Sequence, residues 1–257
     1  SHQKGRLPCL SVRLLCTSGT LSATLTRAPS TSRYRIENVT HIDDLPANIR
    51  ELYPTEVRRL YEIHEWRNAT AVFKKLHPQE WDDLMTVLAA FRLPRSELLK
   101  GGGNKSTMAR ALDAHLMTFG WKKETFDTKV TVSRRVAGEK NTYDVPTHEV
   151  DCFKNRIALE VEWNNKDPFF DRDLNNFRLL FELRAIDLGI IVTRSDGLQA
   201  IFNALGRRGS FGESTTHLGK LLPKVDGGGA GGCPVIVFGM APSLYVEDAV
   251  PVSAEEL

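Results

Sequence analysis

The chain has 257 residues and a formal net charge of +2 at pH 7, enough length to bury a full core and too even a balance to exclude or announce a nucleic-acid partner. Its four cysteines, Cys9, Cys16, Cys152 and Cys233, show no CxxC or His/Cys spacing, which excludes a disulfide framework and a zinc module. No apolar run approaches the roughly 18 residues of a membrane-spanning helix, so the expectation is a cytoplasmic, reducing setting with no membrane partner.

Residues 1–36 contain no Asp or Glu, carry Lys4, Arg6, Arg13, Arg27, Arg33 and Arg35, and are rich in Ser and Thr. Organellar transit peptides share that composition, and so does a disordered tail, which is the reading adopted. The expected organisation is a disordered or non-native tail over residues 1–33, one folded domain over 34–240, and a C-terminal tail over 241–257.

Within the domain, Val57, Leu60, Tyr61 and His64 recur at helical spacing, as do Trp81, Leu84, Met85, Leu88 and Phe91, with Pro94 stopping the chain soon after. These stripes read as core faces. The run Gly101-Gly102-Gly103-Asn104-Lys105-Ser106 follows. It is not a P-loop, because Asn104 stands where that motif needs the glycine before its Lys. Two readings stay open: Lys105 and Ser106 hold a DNA phosphate at a helix N-terminus, or Asn104 or Ser106 simply caps that helix. The helix itself carries Met108, Leu112, Leu116 and Phe119.

From Lys129 the pattern turns strand-like. Strands are expected over Val130–Val132, Glu149–Phe153 and Ile157–Trp163, the last two joined through Lys154-Asn155-Arg156. A helix is expected from about Asp171 to Ile186, a doubly buried strand over Leu188–Val192, and a short helix over Leu198–Leu205. A polar loop (209–217), a glycine linker (227–232) and a final strand (234–238) complete the layout. The fold class is α/β, with helices around a central mixed sheet.

The segment that carries chemistry runs from Val150 to Trp163. Strand alternation puts Glu160 and Glu162 on one face and Leu159, Val161 and Trp163 on the other. Two adjacent carboxylates repel each other, and strand propensity for Glu is poor. A hairpin through residues 154–156 brings Asp151 beside them, giving a hard-oxygen site suited to Mg²⁺ or Mn²⁺. The bland alternative is a solvent-facing acidic strand. Asn164, Asn165 and Lys166 come next, with amides able to pair with adenine and, together with Arg172 and Arg178, cations able to meet phosphates. His148, three residues before Asp151, reads as a strand-edge histidine rather than a proton shuttle. Cys152 should point into the core.

This segment resembles the PD-(D/E)XK nuclease motif, and more closely the restriction endonucleases of the BglII/BamHI type. Asp151, eight residues, Glu160-Val161-Glu162, Trp163, Asn164 and Asn165 follow the BglII-group pattern, except that Glu162 replaces its Gln, as in the BamHI form. The resemblance covers roughly residues 142–216 and implies a restriction-endonuclease-like fold. It further implies Mg²⁺-dependent, sequence-specific cleavage of double-stranded DNA by a homodimer, with Mn²⁺ able to substitute. Asp151, Glu160 and Glu162 would be catalytic. Asp151, Glu160 and the Val161 carbonyl would hold the metal, and Glu162 would orient or deprotonate the attacking water. Asn164, Asn165 and the Ser214-Thr215-Thr216 loop would approach base edges. Alternatives are a repair-type nuclease of the same fold and a non-catalytic DNA-binding protein; a two-carboxylate glycosidase would need a sugar cleft whose aromatics the core has already claimed.

Overall fold

The computed structural model describes residues 39–100, 107–212 and 214–248; the readings for the N-terminal tail, for Lys105 and Ser106, and for residues 249–257 lie outside them. The described chain opens with β1 (Thr40–His41), α1 (Ala47–Arg50), α2 (Thr55–Leu60) and β2 (Tyr61–Trp66). The helix expected to carry Val57 through His64 therefore ends at Leu60. Tyr61 and His64 belong to a strand that pairs with β1 on one side and with the last strand of the sheet on the other. Two ladders outweigh a helical period that was only two turns long.

Next come α3 (Ala69–Leu76) and α4 (Pro78–Ala90). Trp81, Leu84, Met85 and Leu88 are buried on α4 as expected, and Phe91 closes it with a bond from its amide to the Val87 carbonyl. After β3 (Leu93–Pro94) and α5 (Arg95–Leu99), α6 (Thr107–Thr118) packs Met108, Leu112 and Leu116 inward, while Phe119 falls past its end, partly exposed. Then come β4 (Lys122–Glu124) and the hairpin β5 (Thr128–Arg134) and β6 (Glu139–Val145), a two-stranded sheet of its own with Val132, Val136 and Tyr143 exposed.

The second half alternates strand and helix: β7 (Val150–Lys154), β8 (Ile157–Glu162), α7 (Pro168–Glu182), β9 (Leu188–Arg194), α8 (Leu198–Ala204), α9 (Leu218–Asp226) and β10 (Val235–Met240), then β11 (Tyr245–Val246). The central sheet has seven strands in the order β1-β2-β10-β9-β8-β7-β4, parallel across β8, β9 and β10 and antiparallel outside them. Parallel strands need helical crossovers, which cover both faces. One core joins Cys152, Leu159, Val161, Trp163, Ile190 and Phe238 to α4, α6 and α8. The other joins Ala158, Ile191 and Val237 to Phe170, Leu174 and Phe177 of α7 and Leu221 of α9.

Three further expectations change. The helix α9 was missed; its stripe of Leu218, Leu221 and Val225 sits between polar and glycine-rich runs that look like one loop. The glycine stretch 227–232 is not a linker but a set of turns pressed against α7. At Gly231 φ is +58°, and a Cβ would stand 2.6 Å from Arg178 Cγ, so only glycine fits there without strain. Residue 241 does not begin a tail, because β11 pairs with β3.

Candidate active site

The β7–β8 hairpin turns through Asn155 and Arg156, both at positive φ (43° and 69°), the backbone of a two-residue type I′ turn. Arg156 is held there by Asp187, Nε to Oδ2 at 2.8 Å and Nη2 to Oδ1 at 2.5 Å. From the turn the strands pair as far as Cys152 opposite Leu159, and there the ladder stops. Beyond it side chains replace backbone: Val161 N donates to Asp151 Oδ2 (3.4 Å), and Asp151 N donates to Glu160 Oε2 (3.3 Å). The Asp151 carboxylate thus sits in the wedge between the strands, beside Glu160. Since the N–H and C=O of one strand residue point the same way, the Val161 carbonyl faces that wedge as well.

Glu160 and Glu162 share a face, as the alternation requires, and Cys152 points into the opposite core. The carboxylates do not face solvent, though. Both glutamates are 1% exposed, because α7 lies over them and their face forms part of the second core.

From α7 comes a residue the sequence reading did not single out. Asp173 falls within the helix stripe of Phe170, Leu174, Phe177 and Leu180 that packs on the sheet, so it reaches the glutamates fully buried. An acidic residue in a core stripe was the available signal. His148 is likewise more than a strand-edge histidine: its Nε2 lies 3.1 Å from Glu160 Oε1 and 3.2 Å from Asp173 Oδ1. Arg172 donates to Asp173 Oδ1 (2.8 Å) and Glu162 Oε1 (3.4 Å), and Asn165 Nδ2 donates to Glu162 Oε2 (2.6 Å).

Among the described residues, His148 and Arg172 are cationic side chains that meet Glu160, Glu162 and Asp173. Burial, then the neighbouring Asp173, pushes Glu160 and Glu162 well above the ordinary carboxylate range, against the lowering pull of His148 on Glu160 and of Asn165 on Glu162. Burial pulls His148 down, but hydrogen bonds to Asp173 and Glu160 carry it up to about 9. A hard divalent ion would relieve the repulsion within such a buried carboxylate cluster. Asp173 Oδ2 is also buried with no hydrogen-bond partner among the described residues. The donor set fits a divalent metal.

The remaining predicted positions rim this cluster. Asn164 sits at φ +60° with its Oδ1 unpartnered, Lys166 bridges to Thr215, and Ser214 is exposed. Thr216 corrects the expectation of a base contact: it is 0% exposed, its hydroxyl lies between Asn165 N (3.1 Å) and the Glu162 carbonyl (3.4 Å), and its own N–H donates to the Asn165 carbonyl. Asn165 likewise spends its amide on Glu162. Arg172 and Arg178 are engaged within the chain, Arg178 with Asn175 and Glu182. Sequence reasoning also missed Arg194, 1% exposed, whose guanidinium takes the carbonyls of Thr216 (2.8 Å) and Gly212 (2.9 Å) and the Thr215 hydroxyl (2.7 Å) and so holds Gly212, Thr215 and Thr216 in place.

Among the described residues no helix is long and apolar enough to cross a membrane. No protein of curated function is significantly similar to the chain. The family model described as restriction endonuclease BglII/BglIII matches residues 61–240, from the first residue of β2 to the last of β10. That span holds six of the seven strands of the central sheet and the whole carboxylate cluster. The chain belongs to the BglII/BglIII restriction endonuclease family, a family of DNA-cutting nucleases.

Proposed function

We propose that this protein is a type II restriction endonuclease that cuts double-stranded DNA at a specific sequence, using Mg²⁺, with Mn²⁺ able to replace it. The observation that carries the reading is the Asp151 carboxylate beside Glu160 where the β7–β8 ladder ends, with Glu162 next along the same buried face of β8. Asp151, Glu160 and the Val161 carbonyl would hold the metal. When bound, the ion supplies positive charge against the scissile phosphate and acidifies nearby water.

The chain's own groups do the rest. Asn165 and Arg172 fix the Glu162 carboxylate, which orients the attacking water and takes its proton. The water oxygen forms a bond to phosphorus as the opposite P–O bond breaks in line, and the negative charge leaves on the departing oxygen. Asn164, Lys166, Ser214 and Thr215 form the rim toward DNA, while Asn165 and Thr216 lock that rim to Glu162. A palindromic duplex would be met by two copies related by a two-fold axis. A non-catalytic DNA-binding protein would gain nothing from four carboxylates gathered against a phosphate backbone.

The test is digestion of a mixed plasmid panel. With Mg²⁺ the protein should give discrete fragments with defined ends, EDTA should abolish cutting, and Glu160→Ala should fold yet lose at least about a thousandfold in rate, several kcal/mol of barrier. Full cleavage by that variant would refute the assignment.

A further inference from the structure

Glu160 presents its two oxygens to two different sides. Oε2 faces Asp151 and the wedge between the strands, whereas Oε1 faces His148 Nε2. On that second side, one ligand atom each from His148, Glu160 and Asp173 lie within 4.8 Å of one another, a spacing one cation can span. His148 Nε2 faces both carboxylates, 3.1 Å from Glu160 Oε1 and 3.2 Å from Asp173 Oδ1. Asp173 Oδ2 is the independent sign: a fully buried carboxylate oxygen with no partner among the described residues. Leaving such an atom unsatisfied is unfavourable, whereas a site that fills with a cation would use it. Side-chain exposure of His148 is 19% and that of Asp173 is 0%, so the imidazole edge is the way in.

We propose that His148, Glu160 and Asp173 form a second metal position, bridged through Glu160 to the Asp151 position. Its donors are one imidazole nitrogen and carboxylate oxygens, a set that suits Mn²⁺ and other transition ions better than Mg²⁺, which takes oxygen almost alone. The second ion displaces the Nε2 proton to solvent and leaves imidazole as a neutral ligand. The inference rests on the metal-dependent nuclease reading, but it concerns a helix residue and a histidine that lie outside the Asp…Glu-x-Glu motif.

The experiment is Mn²⁺ binding to the full chain without DNA, counted by electron paramagnetic resonance, with electron spin echo modulation to detect a nitrogen ligand. Wild type should bind two Mn²⁺ per chain, one of them coupled to an imidazole nitrogen and resistant to excess Mg²⁺. His148→Asn should abolish the coupling and bring the count to one, Asp173→Asn should also leave one, and Asp151→Asn should keep only the nitrogen-coupled ion. A wild-type protein without nitrogen coupling overturns the proposal whatever the variants do, as does coupling that survives His148→Asn. Mn²⁺ bound without nitrogen and lost in Asp151→Asn would sink the second position and leave the nuclease reading standing. No Mn²⁺ binding at all would sink both.

Discussion

Arg156 shows how one residue can be held against its own preference. A non-glycine residue at φ 69° is strained by about 1 kcal/mol or more, and the forked pairing with Asp187 offsets that strain. The Arg156 guanidinium holds the Asp187 carboxyl below its ordinary value, against partial burial, and His77 adds to the effect. A carboxyl lowered in the folded state stabilises the protein above its unfolded pKa and loses that contribution as pH falls through its folded value. Asp187→Asn should therefore cost about 1 kcal/mol at pH 7, discounted for partial exposure, and less at pH 3, below the unfolded value. Chemical denaturation of both proteins at the two pH values checks this; an equal gap at both would refute it. At this scale Asp151, Glu160 and Glu162 were legible because strand period and motif spacing are properties of the chain. Asp173 and His148 were not, because nothing local aims a helix residue or a strand-edge histidine at Glu160.

Among the elements, α7 decides the most, since it brings Asp173 down onto the sheet. Its approach depends on Gly189 in β9, where a Cβ would stand 2.3 Å from Phe177 Cδ2. Gly189→Ala should push α7 outward and destabilise by about 1–3 kcal/mol, read as a lower denaturation midpoint at unchanged slope. An unchanged midpoint would show that α7 does not rest on that contact. Gly212, Thr215 and Thr216 depend in the same way on Arg194, whose burial pulls its pKa down to about 10. Arg194→Met should strand the carbonyls of Thr216 and Gly212, with roughly 1–3 kcal/mol lost for each one left buried and unpaired. If the loop contacts DNA, discrimination between cognate and near-cognate sites should fall as well, which a digest of both would reveal. Helix existence over Trp81–Leu88 was readable from sequence, but α9 was not: its nine residues are too few to announce a period.

For the molecule as a whole, a divalent ion that relieves four gathered carboxylates must stabilise the fold. At a free ion concentration about 100 times the dissociation constant, the gain is about 2.7 kcal/mol, or a rise of roughly 5–10 °C in Tm for a domain of this size. Calorimetry with Mg²⁺ and then with EDTA checks it, and a Tm indifferent to both would remove the metal from the account. DNA binding should weaken steeply with salt, because phosphate contacts release counterions.

The sequence by itself determined the α/β class, the doubly buried strand over Leu188–Val192, the hairpin and the shared face of Glu160 and Glu162, because periods of two and 3.6 residues and the motif spacing are carried by neighbouring residues. Only the tertiary structure decided that the acidic face is buried rather than wet, that α7 roofs it with Asp173, and that Thr216 is a brace rather than a reader of bases. Those outcomes depend on which helix packs on which face, and the packing of segments far apart in the chain leaves no local periodicity to read.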